Sequence, residues 1–431
     1  MASVWKPAMP TALLLGTFIL YGTPEQPGTL EPAGLYLTWT EDPTSTIVID
    51  WHVLADSPLE ALDYRRRGAF RWRNTAAIET FPFPFTEGRT IHRAHLSGLR
   101  SGTVYEFRFG TESRIYSFRT MPETADEPIR IAFGGDVMVD RRMMESMNRE
   151  VMRYDPDLIV WGGDLAYADG REDKAWRWVE YFTTIRNTLV TADGRVVPIL
   201  SAIGNHEVRG GYHWAISGYT QTDASRAAAA PYYYTFFAMP GQPGYGVLDF
   251  GDYMTIILLD TDHTNPIAGA QTEWLERTLA AREHFTHIFP VYHIPAWPSV
   301  RPFEGSSSTA LRLRWVPLFE RYGVRMAFEN HDHSYKRTVP LRGNAEVVDG
   351  IVYIGDGAWG VPPREVKPVE STWYLERSES MRNAVIVTIH GDLLGFVAID
   401  PAGKTIDEMP LSPPVAKLME DQAATEPRPS R

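Results

Sequence analysis

Five apolar runs in the chain end in groups that bind hard cations. IRIAFGGD ends at Asp136, DLIVWGGD at Asp164, VVPILSAIGNHE at Asn205, His206 and Glu207, THIFPVYH at His293, and VRMAFENHDH at His331 and His333. Taken singly, a Gly-Asp pair is a turn and a histidine such as His293 fills a core. Taken in series they form a set, because parallel strands deliver their carboxyl ends to one edge of a sheet. Residues two apart on a strand share a face, but past the strand end His331 and His333 can splay onto neighbouring ions, with Asp332 turned away. The chain has no cysteine. The donors are therefore carboxylate, amide and imidazole, and there are more of them than one tetrahedral ion takes, which points to two metals. Paired ions in hydrolases lie roughly 3.5–4 Å apart, share a carboxylate and clamp the attacking and leaving oxygens of a phosphoryl displacement. Asp164, central in the series, is the expected bridge.

The elements that must position these groups begin at about residue 127. From there to about residue 400, short apolar strands alternate with helical stretches, which predicts an α/β layered fold. Helical spacing covers Lys174–Leu189, with Trp176, Val179, Phe182 and Ile185 expected on one face, and Gln271–Glu283. Ahead of the linker MPETADEP, residues 31–121 are strand-like: LYLTW, TIVIDWHV, VYEFRF and IYSFRT, separated by turn formers. That pattern predicts a β-sandwich. The stretch from Leu96 to Arg108 resembles the tyrosine corner of fibronectin type III-like modules, with Tyr105 as the corner and Trp51 as a core aromatic. Arg65, Arg66 and Arg67, with Arg71 and Arg73, form either a solvated strand edge or an anion patch.

Length, charge and termini bound the rest. At 431 residues and a net charge of −12, from 42 basic against 54 acidic side chains, a broad footprint for nucleic acid or anionic lipid is not expected, though a local basic pocket is compatible. The run from Ala12 to Tyr21 is too short to span a bilayer, so stable membrane insertion is not expected. Residues 1–30 read as a secretory signal peptide or a leading strand, which suggests a secreted or periplasmic protein and leaves the cytoplasm open. Residues 411–431 read as a flexible tail. Oligomeric state is not legible.

The motifs GGD (134–136), GDLAY (163–167), GNHE (204–207), VYH (291–293) and NHDHSYKR (330–337) resemble, in order, those of the calcineurin-like metallophosphoesterases, and among them the purple acid phosphatases. The resemblance covers most of residues 35–400. It implies an N-terminal fibronectin type III-like β-sandwich followed by a metallophosphoesterase α/β layered sandwich. Most branches of the superfamily have Asp-x-His in the first motif, where this chain has Met138. The purple branch supplies a tyrosine instead, and Tyr167 occupies its place. Carried over, the likeness implies Fe(III) on Asp136, Tyr167 and His333, bridged through Asp164 to Fe(II), Zn(II) or Mn(II) on Asn205, His293 and His331. A hard phenolate oxygen independently favours a trivalent ion. The implied activity is hydrolysis of small-molecule phosphate monoesters by a hydroxide activated at the cations, with His206 contacting phosphate and protonating the leaving group.

Several positions depart from the family pattern. Asn330 replaces a glycine, and GDVMVD brings bulk towards the first motif. IPAWPSVRPFEG after His293 lacks the histidines that plant enzymes place near phosphate. Arg301, Trp297, Tyr292, Tyr212 and His213 are the candidates to replace them, each against the alternative of a structural loop. Glu207 is expected either to orient the GNHE loop or to face solvent, and Asp356 and Trp359 to support the floor. The rival activities are a phosphodiesterase or promiscuous phosphoesterase on the same metals, and a degenerate binding module without catalysis.

Overall fold

The computed structural model describes residues 30–414 except 56, 60, 76 and 212–221. The expected leader, nearly all of the tail, and Tyr212 and His213 lie outside the described residues.

Eight strands build the first layer pair: β1 (Gly34–Thr38), β2 (Ile47–Leu54), β3 (Asp63–Arg66), β4 (Arg73–Asn74), β5 (Ile78–Pro82), β6 (Arg89–Leu96), β7 (Val104–Arg108) and β8 (Tyr116–Arg119). They form two antiparallel sheets, β1-β2-β6-β5 and β4-β3-β7-β8. Alternation along the strands turns Trp39, Trp51, Phe107 and Phe118 into a shared core in which each is fully buried. The tyrosine corner is formed. Tyr105 Oη accepts a hydrogen bond from the Arg100 amide at 2.9 Å, fixing the turn into β7. Trp51 is the core aromatic expected, its indole N–H donating to Leu59 O at 2.7 Å.

The second unit runs through β9 (Ile129–Gly134), α1 (Arg141–Met152), β10 (Leu158–Trp161), α2 (Ala175–Thr188), β11 (Ile199–Ser201), α3 (Asp223–Ala229), α4 (Tyr233–Phe236), β12 (Gly246–Phe250), β13 (Met254–Leu258), α5 (Ala270–Ala280) and β14 (His287–Val291). It continues with α6 (Ser306–Arg314), α7 (Val316–Arg321), β15 (Met326–Glu329), β16 (Tyr335–Thr338), β17 (Leu341–Arg342), β18 (Ala345–Glu346), β19 (Val352–Gly355), β20 (Leu375–Glu379), β21 (Ala384–His390), β22 (Leu393–Ile399) and β23 (Thr405–Ser412). Two mixed sheets result, ordered β11-β10-β9-β21-β22-β23 and β12-β13-β14-β15-β19-β16-β20. Their facing sides meet through aromatic contacts, with Phe133 of β9 stacked on Phe328 of β15 at 3.6 Å between centroids. Within each sheet the strands carrying the motifs are parallel: β9, β10 and β11 in one, β13, β14, β15 and β19 in the other. All the motif loops therefore leave the same edge.

Two expectations are corrected. Trp176 is not on the buried face of α2: it is 54% exposed, and the core side is taken by Trp178, Tyr181, Phe182 and Ile185. The apolar residues of this helix outnumber the positions one stripe can hold, and Trp176, beside the Arg177 guanidinium at 5.2 Å, is the one left outside. Residues 411 and 412, expected in the tail, belong to β23, which pairs with β22 as far as Ser412.

Candidate metal centre

Each motif loop turns sharply as it leaves its strand. Asp136 (φ 55°), Asp164 (φ 55°), Tyr167 (φ 54°), His331 (φ 77°) and His333 (φ 56°) all sit in the left-handed region. Side chains with a Cβ avoid that region, so such a concentration marks backbone strain held in place by the surrounding structure. Glycines make the turns possible. A Cβ on Gly357 would lie 1.9 Å from Asp136 Oδ2, and one on Gly204 would lie 2.4 Å from Asp164 Oδ1.

The donors form two adjoining groups. In the first, Asp136 Oδ1 lies 3.0 Å from Tyr167 Oη and 2.9 Å from His333 Nε2, while the two latter atoms are 3.2 Å apart. The other oxygen of Asp136 accepts the His331 amide at 2.9 Å, which aims Oδ1 inward. In the second, His293 Nε2 faces Asp164 Oδ2 at 3.1 Å, Asn205 Oδ1 at 3.1 Å and His331 Nδ1 at 3.0 Å. His293 spends its other nitrogen as a donor to Gly162 O at 2.9 Å. Asp164 Oδ1 is fixed by the His206 amide at 2.7 Å. Asp164 thus stands between the GNHE loop and His293.

The chemistry of this donor set fits a cation. Burial, helped by the positive potential of His293 and Arg301, pushes the His331 pKa well below its ordinary value, so this ring presents a lone pair. With Nδ1–H of His293 committed to a carbonyl, its Nε2 faces a carboxylate, an amide oxygen and the other imidazole. Burial alone would keep His293 neutral, yet the Asp164 carboxylate pulls its pKa up to about 9, so the cluster seeks one positive charge. Atoms about 3 Å apart form the edge of a coordination shell with bonds of about 2.1 Å. Asp164, His293 and His331 meet the distance requirement for a shared ion, their donor atoms all lying within 4.8 Å of one another. Around Tyr167, burial and the charges of Asp136 and Asp164 raise the phenol pKa far above normal. The phenol keeps its proton unless a cation offsets those carboxylates.

Neighbouring groups hold the loops. Glu207 does not face solvent: it is 1% exposed and accepts the amides of Asp164, Leu165 and Gly204, each at 2.8 Å. Burial, reinforced by Asp164, lifts its pKa to about 7. His206 is half-buried, its ring 4.3 Å from that of Tyr167 between centroids, with Nδ1 on Asp169 Oδ1 at 2.5 Å and Nε2 3.9 Å from Asp164 Oδ2. Burial opposes its protonation, but Asp164 and Asp169 outweigh this and raise its pKa. Asp169, which also pairs with Lys174, was not singled out in the sequence.

The departures resolve individually. Met138 is 1% exposed and packs in the apolar core with Val137, so the bulk of GDVMVD goes away from the donors. Asn330 lies outside the left-handed region and its amide fills the space beside Gly135 and Gly162, where added Cβ atoms would come within 2.3 and 1.7 Å of it. Tyr292 and Trp297 do not reach the site. Both are fully buried, Tyr292 donating to Glu329 Oε1 at 2.7 Å and Trp297 packing between Phe303 and Tyr353. Asp356 and Trp359 do support the floor: Asp356 ion-pairs with buried Lys336 at 3.2 Å, and the Trp359 amide donates to Gly135 O at 3.1 Å.

A cavity of about 520 Å³ opens over the donors and is lined by Asn205, His206, His331, Asp169, Arg301 and Arg364, with the first residues of α6 opposite. Arg301 Nη1 donates to His331 O at 2.7 Å and pairs with Asp332 at 2.6 Å, the latter turned away from the donors as expected. Arg364 Nη1 donates to the same carbonyl at 3.1 Å, and its Nη2 lies 3.4 Å from His333 Nε2. Sequence reasoning missed Arg364. Its only signal was an arginine in the Pro-rich segment shortly after GDGAWG.

Comparison with known proteins matches residues 32–120 to the purple acid phosphatase N-terminal domain and residues 129–335 to the calcineurin-like phosphoesterases. An uncharacterised protein of Mycobacterium tuberculosis is 24% identical over 72% of this chain and 63% of its own length. Purple acid phosphatase 15 of Arabidopsis thaliana is 25% identical over 65% of this chain and 56% of its own length. The chain thus spans less than two thirds of these curated relatives. Among solved structures, purple acid phosphatase PPD1 of yellow lupin seeds superposes with a TM-score of 0.72 at 18% identity, covering 92% of this chain and 77% of that one. PhoD superposes at 0.64 with 13% identity, covering 88% and 93%. Both likenesses concern the fold.

Proposed function

We propose that this chain, a calcineurin-like phosphoesterase that carries the purple acid phosphatase N-terminal domain, is a binuclear-metal phosphatase acting on small phosphate monoesters. Asp136, Tyr167 and His333 would hold Fe(III), Asp164 would bridge, and Asn205, His293 and His331 would hold Fe(II), Zn(II) or Mn(II). The observation that carries this reading is the gathering of oxygen and nitrogen donors from seven residues into two groups with neighbouring atoms about 3 Å apart, one of them including a phenol. The bound cations would lower the pKa of water and offset charge on the phosphoryl oxygens. This chain's own residues do the remainder. Arg301 and Arg364 line the cavity with guanidinium donors that suit phosphate. His206, oriented by Asp169 and with its pKa raised by Asp164 and Asp169, stands at the donors with Nε2 placed to give a proton to the departing alkoxide. Glu207 ties the β10 and β11 loops together so that Asp164 and Asn205 keep their spacing.

Metal analysis combined with the visible spectrum tests the assignment. A tyrosinate on Fe(III) colours the protein, and Tyr167→Phe should bleach it. A colourless, fully active di-zinc or di-manganese protein would remove Fe(III) and leave the hydrolase. Paired aryl monoester and bis-ester substrates separate the monoesterase from a phosphodiesterase. Absence of both metal and hydrolysis would favour the binding module. Secretion or periplasmic location stays part of the proposal. Among the described residues no helix is long and apolar enough to cross a membrane.

A further inference from the structure

The tip of the β3–β4 hairpin is unlike the rest of the surface. Residues 64–74, YRRRGAFRWRN, hold five arginines and no acidic side chain in a chain whose net charge is −12. Phe70 at the apex is 99% exposed, the most exposed large apolar side chain among the described residues. Arg66, Arg71 and Arg73 are exposed and take part in no ion pair among the described residues. The base of the hairpin is braced. Trp72 lies between the guanidiniums of Arg65 and Arg108, 4.2 and 4.4 Å from its ring, and those arginines pair with Glu106 at 2.7 Å and Asp63 at 3.2 Å. Of the five arginines, Arg65 and Arg67 are paired, Arg67 with Glu106 at 3.7 Å and Asp193 at 3.8 Å, which leaves Arg66, Arg71 and Arg73, with one phenyl ring, in water. Arg65 and Arg66 lie in β3 and Arg73 in the edge strand β4, so the basic segment is in part a solvated strand edge, with Arg67 and Arg71 in the turn.

We propose that this tip docks the protein on an anionic lipid bilayer, the three free arginines meeting headgroup phosphates and Phe70 entering the acyl boundary. Guanidiniums alone would serve any polyanion. A phenyl ring held fully in water gains only where an apolar phase is offered, which favours the bilayer. The charge complements it as well: an overall acidic protein is repelled by an anionic surface except through a local basic point, which therefore sets the orientation of approach. That orientation leaves the cavity open. The tip sits beside the turn before β11, with Arg67 3.8 Å from Asp193 and the Ser117 amide on Gly194 O at 2.8 Å, whereas Asn205 and the cavity follow the other end of that strand. The inference is independent of the reaction proposed above.

Co-sedimentation of the full chain with phosphatidylcholine vesicles, with and without phosphatidylglycerol, tests it. Binding is expected only with phosphatidylglycerol and should weaken as salt is raised. Phe70→Ser should lower the partition about tenfold, and the combined Arg66→Gln, Arg71→Gln, Arg73→Gln variant about a hundredfold. Phe70→Leu should keep binding, which separates insertion from misfolding, and hydrolysis of a soluble aryl phosphate should be unchanged in all three. Failure of the native chain to bind anionic vesicles at low salt would overturn the proposal. So would binding that depends on the arginines but not on Phe70, the mark of a polyanion site.

Discussion

At the scale of single residues, the site divides into groups that bind and groups that aim. His206 and Asp169 form a pair of the second kind: Asp169 takes one ring nitrogen at 2.5 Å and leaves the other for the leaving group. Replacing His206 by Ala should cut kcat by roughly 10²–10³, more for alkyl than for nitrophenyl phosphates, because a good leaving group needs no proton. Replacing Asp169 by Asn removes a carboxylate that, with Asp164 and Glu207, outweighs burial in raising the His206 pKa. Activity that needs the protonated ring is lost as pH rises through that pKa, so the alkaline limb of the kcat profile should move to lower pH in Asp169→Asn. A limb that stays in place would assign it to another group. Arg364 belongs with the binding groups. Arg364→Ala should raise KM about tenfold or more while kcat falls less, in line with the loss of one charge-assisted contact. Asp169 and Arg364 were both hidden in the sequence for the same reason. Each reaches the site from a loop whose course is set by tertiary packing, whereas Asp136, Asp164, Asn205, His293 and His331 directly follow apolar strands whose direction is readable.

At the scale of elements, the strand ends form the site because the glycines and Asn330 let neighbouring loops interlock. A Cβ on Gly357 would collide with Asp136 Oδ2 at 1.9 Å, an atom with no freedom because it holds the His331 amide. Gly357→Ala should therefore reduce bound metal, and with it any visible absorbance of the proposed Fe(III) site, while far-ultraviolet circular dichroism stays native. Full metal content in this variant would mean that the Asp136 loop is softer than its contacts indicate. Asn330 is the complementary case. Its amide fills the space beside two glycines and donates to Tyr292 O at 2.9 Å, so Asn330→Gly leaves a void and a carbonyl without its donor, costing about 1–3 kcal/mol in urea unfolding. The departure from glycine was legible in the sequence, but its partners, Gly135 and Gly162, were not, since they come from two other motifs. The opposite limit shows at Tyr292 and Trp297. Their motif neighbours suggested the cavity, yet the buried charge cluster of Glu329, Lys336 and Asp356 draws the Tyr292 hydroxyl to Glu329, and Trp297 is enclosed by aromatic rings. Side-chain direction past a strand end depends on such partners, which local pattern does not encode.

At the scale of the whole molecule, the layers are joined by polar groups that cannot reach water. Tyr36 and His52 of the sandwich pack on Phe182 of α2 at 4.7 and 4.5 Å, and Arg93 links Asp50 at 2.7 Å to Phe236 O at 3.0 Å, so the β-sandwich and the α/β unit share one interior. Two-domain organisation was visible in the change from strand-only to alternating pattern; this aromatic seam was not, because its members lie far apart in sequence. Between the two sheets of the second unit the equivalent link is His287, at the start of β14, whose Nε2 donates to Gly391 O at 2.8 Å in the turn between β21 and β22. It is 1% exposed and its Nδ1 has no partner among the described residues, so burial drives its pKa down to about 4 despite the carbonyl. In the unfolded chain the ring titrates at its ordinary value of about 6.5. Between these limits the unfolded state binds a proton that the folded state refuses, so this group's contribution is complete above about 6.5 and is lost as pH falls towards 4. The loss amounts to about 3 kcal/mol across the window. Other buried acids titrate in the same range, so the measurement is a comparison: urea unfolding of native protein and His287→Gln, each at several pH values from 7.5 to 4.5. The glutamine amide can still donate to Gly391 O but takes up no proton, so the stability difference should move by about 2–3 kcal/mol in favour of the variant as pH falls. A difference that is constant with pH would mean that His287 is protonated in the folded state, with the inter-sheet seam open enough to hydrate it.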